Sequence, residues 1–563
     1  MQTGIRNCSV GATVSRNSHN MRVIVAAAIF FGISPFSAAA VGQSETTASA
    51  VGPHGAALKL ALAGSGGAEG AAQDHYQDTA YRGLWIGPAG DDQRARALLA
   101  ALESAGAHGL PDGKYHTGAL RAAVDAAAGG DSALVAVAEL ALTRAFLTYA
   151  DDLSYGVLEP GAVDRDIHVT PPVLDEALLL DRVAAAGALE PVLRTLAPAH
   201  PDYARLVDLL ARLRALTPDA WGAPTPGGAS IRPGESGPRV AAARARLVAL
   251  GDHVEDPEAA ALHDPAIYDQ ALVSSVRAFQ RRHGLNDDGV IGARTLEAMN
   301  AGIDERIGQV EVNLERLRWV NRPLGKRHIE VNQADFTVRL IDDGATLFAE
   351  RVVVGSRRHR TPEFSDEMTH LVFNPVWHVP RSIASKEILP ALQEDPEYLS
   401  KKNMRLVSRD GYQTPDPAFT DWTLYSAADF PFAVKQNPGG GNALGRVKFM
   451  FPNRWSIYLH DTPSKRLFAK DARAFSHGCI RVQDPMRLAM ALLELQEPNP
   501  DALIDRVLAS GRETTVRLDT PVPVHLGYRT AWVDDEGRAQ FRGDIYGRDA
   551  RVLAALRAAG VAQ

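Results

Sequence analysis

One short stretch concentrates the reactive side chains of this sequence: Ser476-His477-Gly478-Cys479-Ile480-Arg481, with His460 upstream and residues 461–475 between them. The only other cysteine is Cys8. A lone cysteine beside Gly and His, with a second His near in sequence, suits a thiolate nucleophile better than a structural thiol. A free thiol titrates at about 8.5, and a neighbouring imidazole can lower that by several units. The expectation is therefore a thiolate–imidazolium pair, nucleophilic at neutral pH. Gly478 lets the backbone bend sharply before the nucleophile. The backbone N–H groups of Gly478 and Cys479 are then the expected donors to a developing oxyanion. Zinc fits less well, because Cys479 has no second Cys beside it and no Cys-x-x-Cys or His-x-x-x-His pair occurs.

These side chains need a scaffold. Residues Trp455–His460 alternate, which predicts a strand with Ser456, Tyr458 and His460 on one face and Ile457 and Leu459 toward a core. Asp461-Thr462-Pro463 breaks that strand, leaving His460 at its end, free to project into a cleft. The surrounding texture is β-type from about Lys326 to Leu518, including Val352–Val354, Leu371–Phe373 and Val447, Phe449 and Phe451. Within it, Ser382 to Gly445 is irregular and polar, as expected of a lid or substrate-binding loop.

The rest of the chain reads as separate domains. At 563 residues it is too long for one core. Arg6, Arg16 and Arg22 precede an apolar run, Val23–Ala40, ending in Ser37-Ala38-Ala39-Ala40, which predicts a cleaved signal peptide over 1–40 and export. Met21 is an alternative start, and an uncleaved inner-membrane tether is the alternative to cleavage. No second apolar stretch is expected to span a bilayer. With Cys8 in the leader, Cys479 has no intrachain partner. Residues 41–73 read as a flexible leader, 74–218 as a helical domain, and 219–237 as a Pro/Gly-rich linker. Residues 238–302 read as three short helices, with Gly284 capping the second. Residues 519–563 form an extension with a hairpin at Asp535-Glu536-Gly537 and a last helix. With 60 basic and 67 acidic residues and no basic run, nothing points to nucleic acid.

His460, the intervening residues and Ser-His-Gly-Cys-Ile-Arg together resemble the signature of the L,D-transpeptidases with a YkuD-type catalytic domain. Asn374-Pro375-Val376-Trp377-His378-Val379-Pro380, with Ile383 and Glu387-Ile388-Leu389-Pro390, resembles the family's strand and insertion entry. Phe279–Leu285 with Asp288–Gly292, Thr295 and Leu296 resembles a peptidoglycan-binding module, and Tyr149–Gly156 the scaffold domain of the large periplasmic subgroup. The resemblance implies an α+β multidomain protein: a β-sandwich-like catalytic domain with a lid insertion, a helical scaffold and a small three-helix module.

By the same resemblance, Cys479 attacks the carbonyl between the diamino acid and terminal D-alanine of a stem tetrapeptide, and a neighbouring stem's amine takes the acyl group. His460 would be the general base, oriented by the backbone carbonyl of Asp461. His477 and Ser476 would shape the cleft, and Tyr458 and Trp377 would line the donor pocket. Arg481 would hold the loop or meet a substrate carboxylate. No cofactor is required. The expected partners are peptidoglycan stem peptides, glycan if the 238–302 module binds it rather than serving as a packing platform, and other cell-wall enzymes. Hydrolysis by an L,D-carboxypeptidase, attachment of an outer-membrane protein to the wall, and a non-catalytic wall-binding protein are the competing readings.

Overall fold

The computed structural model describes residues 52–64, 70–87, 91–253, 264–408 and 414–561. The expected signal peptide lies outside the described residues. The expected flexible leader is partly structured: Pro53–Gly64 and Gly70–Asp78 are helices, and Leu58 and Leu62 are buried in the first domain's core. Their spacing provides an apolar stripe that the small residues around it conceal in sequence.

The first domain is helical, as its Ala/Leu periodicity predicts. Its centre is the helix Ser132–Tyr155, capped by the Asp131 carboxylate on the N–H groups of Ala133 and Leu134. By length and composition this helix could cross a membrane, contrary to the expectation that no such second stretch exists. It is a core helix instead, burying Leu142, Phe146 and Leu153. Its buried Glu139 accepts hydrogen bonds from the N–H groups of Leu84, Trp85 and Ile86.

The three-helix module forms as expected from Pro238–Ala249, Gln270–Arg282 and Ala293–Asn300 around Leu247, Leu272, Val276 and Phe279. Gly284 closes the second helix at φ +66, and Leu285 N–H returns to the Gln280 carbonyl at 2.9 Å.

A long helix, Ile303–Trp319, follows, and sequence reading assigns it no element. From Arg306 to Trp319 it is buried almost all round, charged residues included. Each buried carboxylate is met from another element or turn: Glu311 by Arg214 (2.7 Å) and Arg557 (2.6 Å), Glu315 by Arg318 (3.0 Å) and Leu158 N–H (2.9 Å). Ile303, Ile307, Val310, Leu314 and Leu317 form an apolar stripe on the first domain's core, and the charged faces are buried as well because other elements cover them.

The catalytic-type domain contains strands β1 (Arg327–Asn332), β2 (Thr337–Asp342), β3 (Ala345–Gly355), β4 (Phe364–Phe373), β5 (Trp377–His378), β6 (Met404–Val407), β7 (Ala433–Gln436), β8 (Val447–Met450), β9 (Leu459–His460), β10 (Ala474–Ser476), β11 (Ile480–Val482) and β12 (Thr514–Gly527). The main sheet runs β10-β3-β11-β9-β8-β4-β12-β1-β2, and β2 also pairs with β3. That last pairing closes the expected sandwich into a ring whose interior holds Val331, Leu371, Phe449, Leu459 and Ile480. β12 continues past Leu518, and its residues Val524–Gly527 pair in parallel with β1, so the expected domain end at 518 falls inside a strand. The extension contributes the expected hairpin, β13 (Ala531–Val533) with β14 (Ala539–Phe541), and the helix Arg548–Ala558.

The lid is more ordered than its polar texture predicts. It has a three-stranded sheet, β5-β7-β6, and its own core of Leu389, Leu392, Leu399, Trp422, Phe430 and Val434.

Candidate active site

β9 and β11 lie side by side in parallel, Leu459 beside Ile480 and His460 beside Arg481. Leu459 and Ile480 are fully buried in the ring. Alternation therefore turns Tyr458 and His460 to one face of their strand and Cys479 and Arg481 to the same face of theirs. The expected strand over Trp455–His460 is shorter than predicted. Residues 453–457 form a turn instead, tied by the Asn453 side chain to Trp455 and Ile457, with Ser456 at φ +55. That turn aims the Ser456 carbonyl at Cys479, whose thiol donates to it at 3.5 Å. The Tyr458 hydroxyl also hydrogen-bonds the Cys479 sulfur, and its ring meets His460 edge-on at 5.7 Å.

His460 Nδ1 lies 2.5 Å from the backbone carbonyl of Asp461. A carbonyl only accepts, so Nδ1 carries the hydrogen and Nε2 keeps its lone pair. The Asp461 carboxylate works on the turn rather than on the ring. It accepts from Arg446 N–H (2.9 Å), Thr462 N–H (2.7 Å) and Lys465 Nζ (2.8 Å). Gly445, at φ +62, leaves room for it, since a Cβ there would sit 2.3 Å from Asp461 Cγ.

Electrostatics correct one expectation. Burial, with the Arg481 charge adding to it, pulls His460 down to about 3. Burial also pushes the Cys479 thiol up to about 11, against the hydrogen bonds from Tyr458 and the charge of Arg481. Burial thus favours a neutral thiol beside a neutral imidazole over thiolate and imidazolium, most strongly at His460, since Cys479 itself stays part-exposed.

The motif turn corrects a second expectation. Ser476 Oγ donates to the Cys479 carbonyl at 2.6 Å and accepts from Gly478 N–H at 3.1 Å. Gly478 N–H is thus committed to the turn. No hydrogen bond from Cys479 N–H occurs among the described residues, so of the two expected donors that amide alone is open to an incoming acceptor. Gly478 sits at φ +120, and a Cβ would meet Ile457 Cδ1 at 3.1 Å. Its carbonyl accepts from the fully buried Thr361 hydroxyl at 2.7 Å. Gly478→Ala should therefore cut turnover at least about a hundredfold by displacing the Cys479 amide, with about 1–3 kcal/mol of stability lost to strain. Steady-state kinetics and denaturant titration of the same preparation check both numbers.

His477 is exposed and pairs through Nε2 with Glu387 Oε1 at 2.8 Å, while His359 packs on its ring at 4.8 Å. Glu387 lies in the π-helical turn Ala384–Ile388 at the start of the lid, so this contact ties the motif to the lid. Arg481 makes no ion pair among the described residues, and its buried Nε has no hydrogen-bond partner. Trp377 is half-buried. It sits on β5 and packs on the lid's own core. Sequence reading misses Thr361, Asn453 and Glu387 as supports, because each acts through one contact that folding alone creates.

Comparison with known proteins agrees with this layout. Residues 326–524 match the family "L,D-transpeptidase catalytic domain" (YkuD), residues 236–299 "Putative peptidoglycan binding domain", and residues 70–210 "Scaffold domain". A Haemophilus influenzae protein named "Putative L,D-transpeptidase" is 34% identical over 244 residues, which is 43% of this chain and 48% of that protein. The chain thus spans about half the length of the curated relative it matches. Among solved structures, the L,D-transpeptidase of Stackebrandtia nassauensis shares 13% identity over 56% of this chain and 98% of its own, with a TM-score of 0.20. That of Xylanimonas cellulosilytica shares 15% over 54% and 99%, with a TM-score of 0.17. The three domain matches, in this order along one chain, give it an L,D-transpeptidase catalytic domain of the YkuD family, with a scaffold domain and a peptidoglycan-binding-type domain ahead of it.

Proposed function

We propose that this protein is an exported L,D-transpeptidase that cross-links peptidoglycan stem peptides in the periplasm. The observation that carries this reading is His460 held by the Asp461 carbonyl, so that a basic Nε2 shares one face of adjacent strands with Cys479. The basic then apolar N-terminus, ending in small residues, supports export.

The chemistry follows from the neutral pair. As Cys479 Sγ attacks the carbonyl carbon between the diamino acid and D-alanine, its proton passes to His460 Nε2. The carbonyl oxygen gains charge opposite Cys479 N–H. The C–N bond breaks, His460 returns the proton to the leaving amine, and D-alanine departs from a thioester. A side-chain amine of a second stem attacks that thioester, His460 takes its proton, and the thiol is restored. Arg481, with no ion-pair partner among the described residues, is suited to a substrate carboxylate, and Tyr458 to the donor side chain. The lid, held to the motif by Glu387 and His477, favours an amine over water as acceptor.

Incubation of the full chain with tetrapeptide muropeptides tests this. Stem dimers formed with loss of D-alanine, absent with Cys479→Ala, are the expected products. Tripeptide without dimer would move the assignment to an L,D-carboxypeptidase, and no product from folded protein would overturn it.

A further inference from the structure

A cavity of about 590 Å³ lies where the three-helix module, the helix Ile303–Trp319, the β1–β2 turn, the β3–β4 loop, the loop before β10 and the C-terminal extension meet. Its volume is that of a small-ligand site, and neither Cys479 nor His460 lines it. Its charges are unusual. Arg306 is only 7% exposed, and its guanidinium lies 4.5 Å from the Phe541 ring centroid. It donates to Gln309 Oε1 (2.9 Å) and the Ala298 carbonyl (2.9 Å), and it forms no ion pair among the described residues. Arg357 donates to the Ile545 carbonyl at 3.0 Å and likewise has no ion-pair partner there. A buried cation without an ion-pair partner is costly, and Arg306 leans on its two hydrogen bonds, the Phe541 ring and the charge of Glu305. The walls also carry the carboxylates of Glu297 and Glu305, both exposed and neither in an ion pair among the described residues. The aromatic surface is poor for sugars, because Phe336 and Phe541 are buried and offer no open stacking face.

We propose that this cavity is a non-catalytic binding site for a free peptide stem, recognised by its carboxylates at Arg306 and Arg357 and its diamino-acid ammonium at Glu297. The inference rests on the peptidoglycan reading given above, and it assigns the module's contribution to the peptide rather than to the glycan. Short apolar side chains of such a stem would meet Leu553 and the alanines of the wall.

The test is calorimetric titration of the full chain carrying Cys479→Ala with a free tetrapeptide stem. Glu297→Gln and Arg357→Gln, both at exposed positions that leave folding intact, should each weaken binding about tenfold or more. Acetylating the stem's side-chain amine should do the same, and stem-free glycan should not bind. Binding unchanged in both variants, no binding of the stem, or binding of stem-free glycan alone would each overturn the proposal. The product assay on the unsubstituted chain separates the two claims. Variant-sensitive binding without Cys479-dependent product removes the proposed reaction and keeps the cavity. Product with variant-insensitive binding removes the cavity and keeps the reaction.

Discussion

His460→Ala should lower turnover about 10³- to 10⁴-fold at pH 7, and the residual rate should climb about tenfold per pH unit toward pH 11. Both halves follow from the neutral resting pair. Below its raised value of about 11, Cys479 is a thiol and needs a base to take its proton. His460, pulled down to about 3, is uncharged and able to accept that proton at any pH well above 3. The unsubstituted enzyme should therefore hold a plateau between those two limits. With the imidazole gone, only the pre-ionised fraction of Cys479 reacts, and that fraction rises tenfold per unit until about 11. A purely structural role for His460 would lower the rate without creating this slope. A residual rate flat between pH 7 and 10 would mean that the thiolate is already formed, and would restore the ion pair expected from the sequence. Rates of acyl transfer across a pH series in the variant decide between them.

Glu363→Gln should destabilise the folded protein by about 3–5 kcal/mol while leaving the motif residues themselves untouched. Glu363 joins the scaffold to the catalytic domain by backbone and side chain. Its N–H donates to the Asp166 carbonyl and its carbonyl accepts from His168 N–H, both at 2.8 Å. Its carboxylate, almost fully buried, meets Arg316 at 3.0 Å and Arg548 at 3.1 Å, whose own side chains are 4% and 0% exposed. Arg316 comes from the long helix and Arg548 from the C-terminal helix, so one carboxylate neutralises cations from two elements. Removing its charge leaves two guanidiniums short of a partner in low dielectric. Arg316 retains Asp549 at 3.3 Å, which keeps the loss within that range. Denaturant midpoints for the variant, beside a substitution in the exposed Lys401–Asp395 pair as control, measure the difference. The control should leave the midpoint unchanged.

Legibility in the sequence followed how locally each feature is determined. Ser476–Arg481 and His460 stood out because cysteine is rare here and the spacing is a family signature. The Asp461 carbonyl contact was implied by the family resemblance, and the structure shows it between adjacent residues. The three-helix module was legible because its apolar stripes and Gly284 are local signals. The helix Ile303–Trp319 has a local apolar stripe too, but the burial of its Arg and Glu residues was not legible, since it makes sense only once Arg214, Arg557 and Glu363 arrive from far along the chain. The place of Trp377 by the donor pocket is implied by the family resemblance alone, and pairing of β5 with β7 packs it on the lid's core. The charge state of the Cys479–His460 pair was also out of reach, because the expectation counted the partner's attraction and could not weigh the burial that outweighs it.

The central claim is that Cys479 carries the acyl group. Rapid quenching of the full chain with a tetrapeptide stem, followed by intact mass and peptide mapping, tests it most directly. The account predicts an adduct equal to the stem minus D-alanine, mapped to the peptide containing Cys479 and accumulating when acceptor amine is withheld. An adduct on another residue, or product formed at full rate by Cys479→Ala, would contradict it.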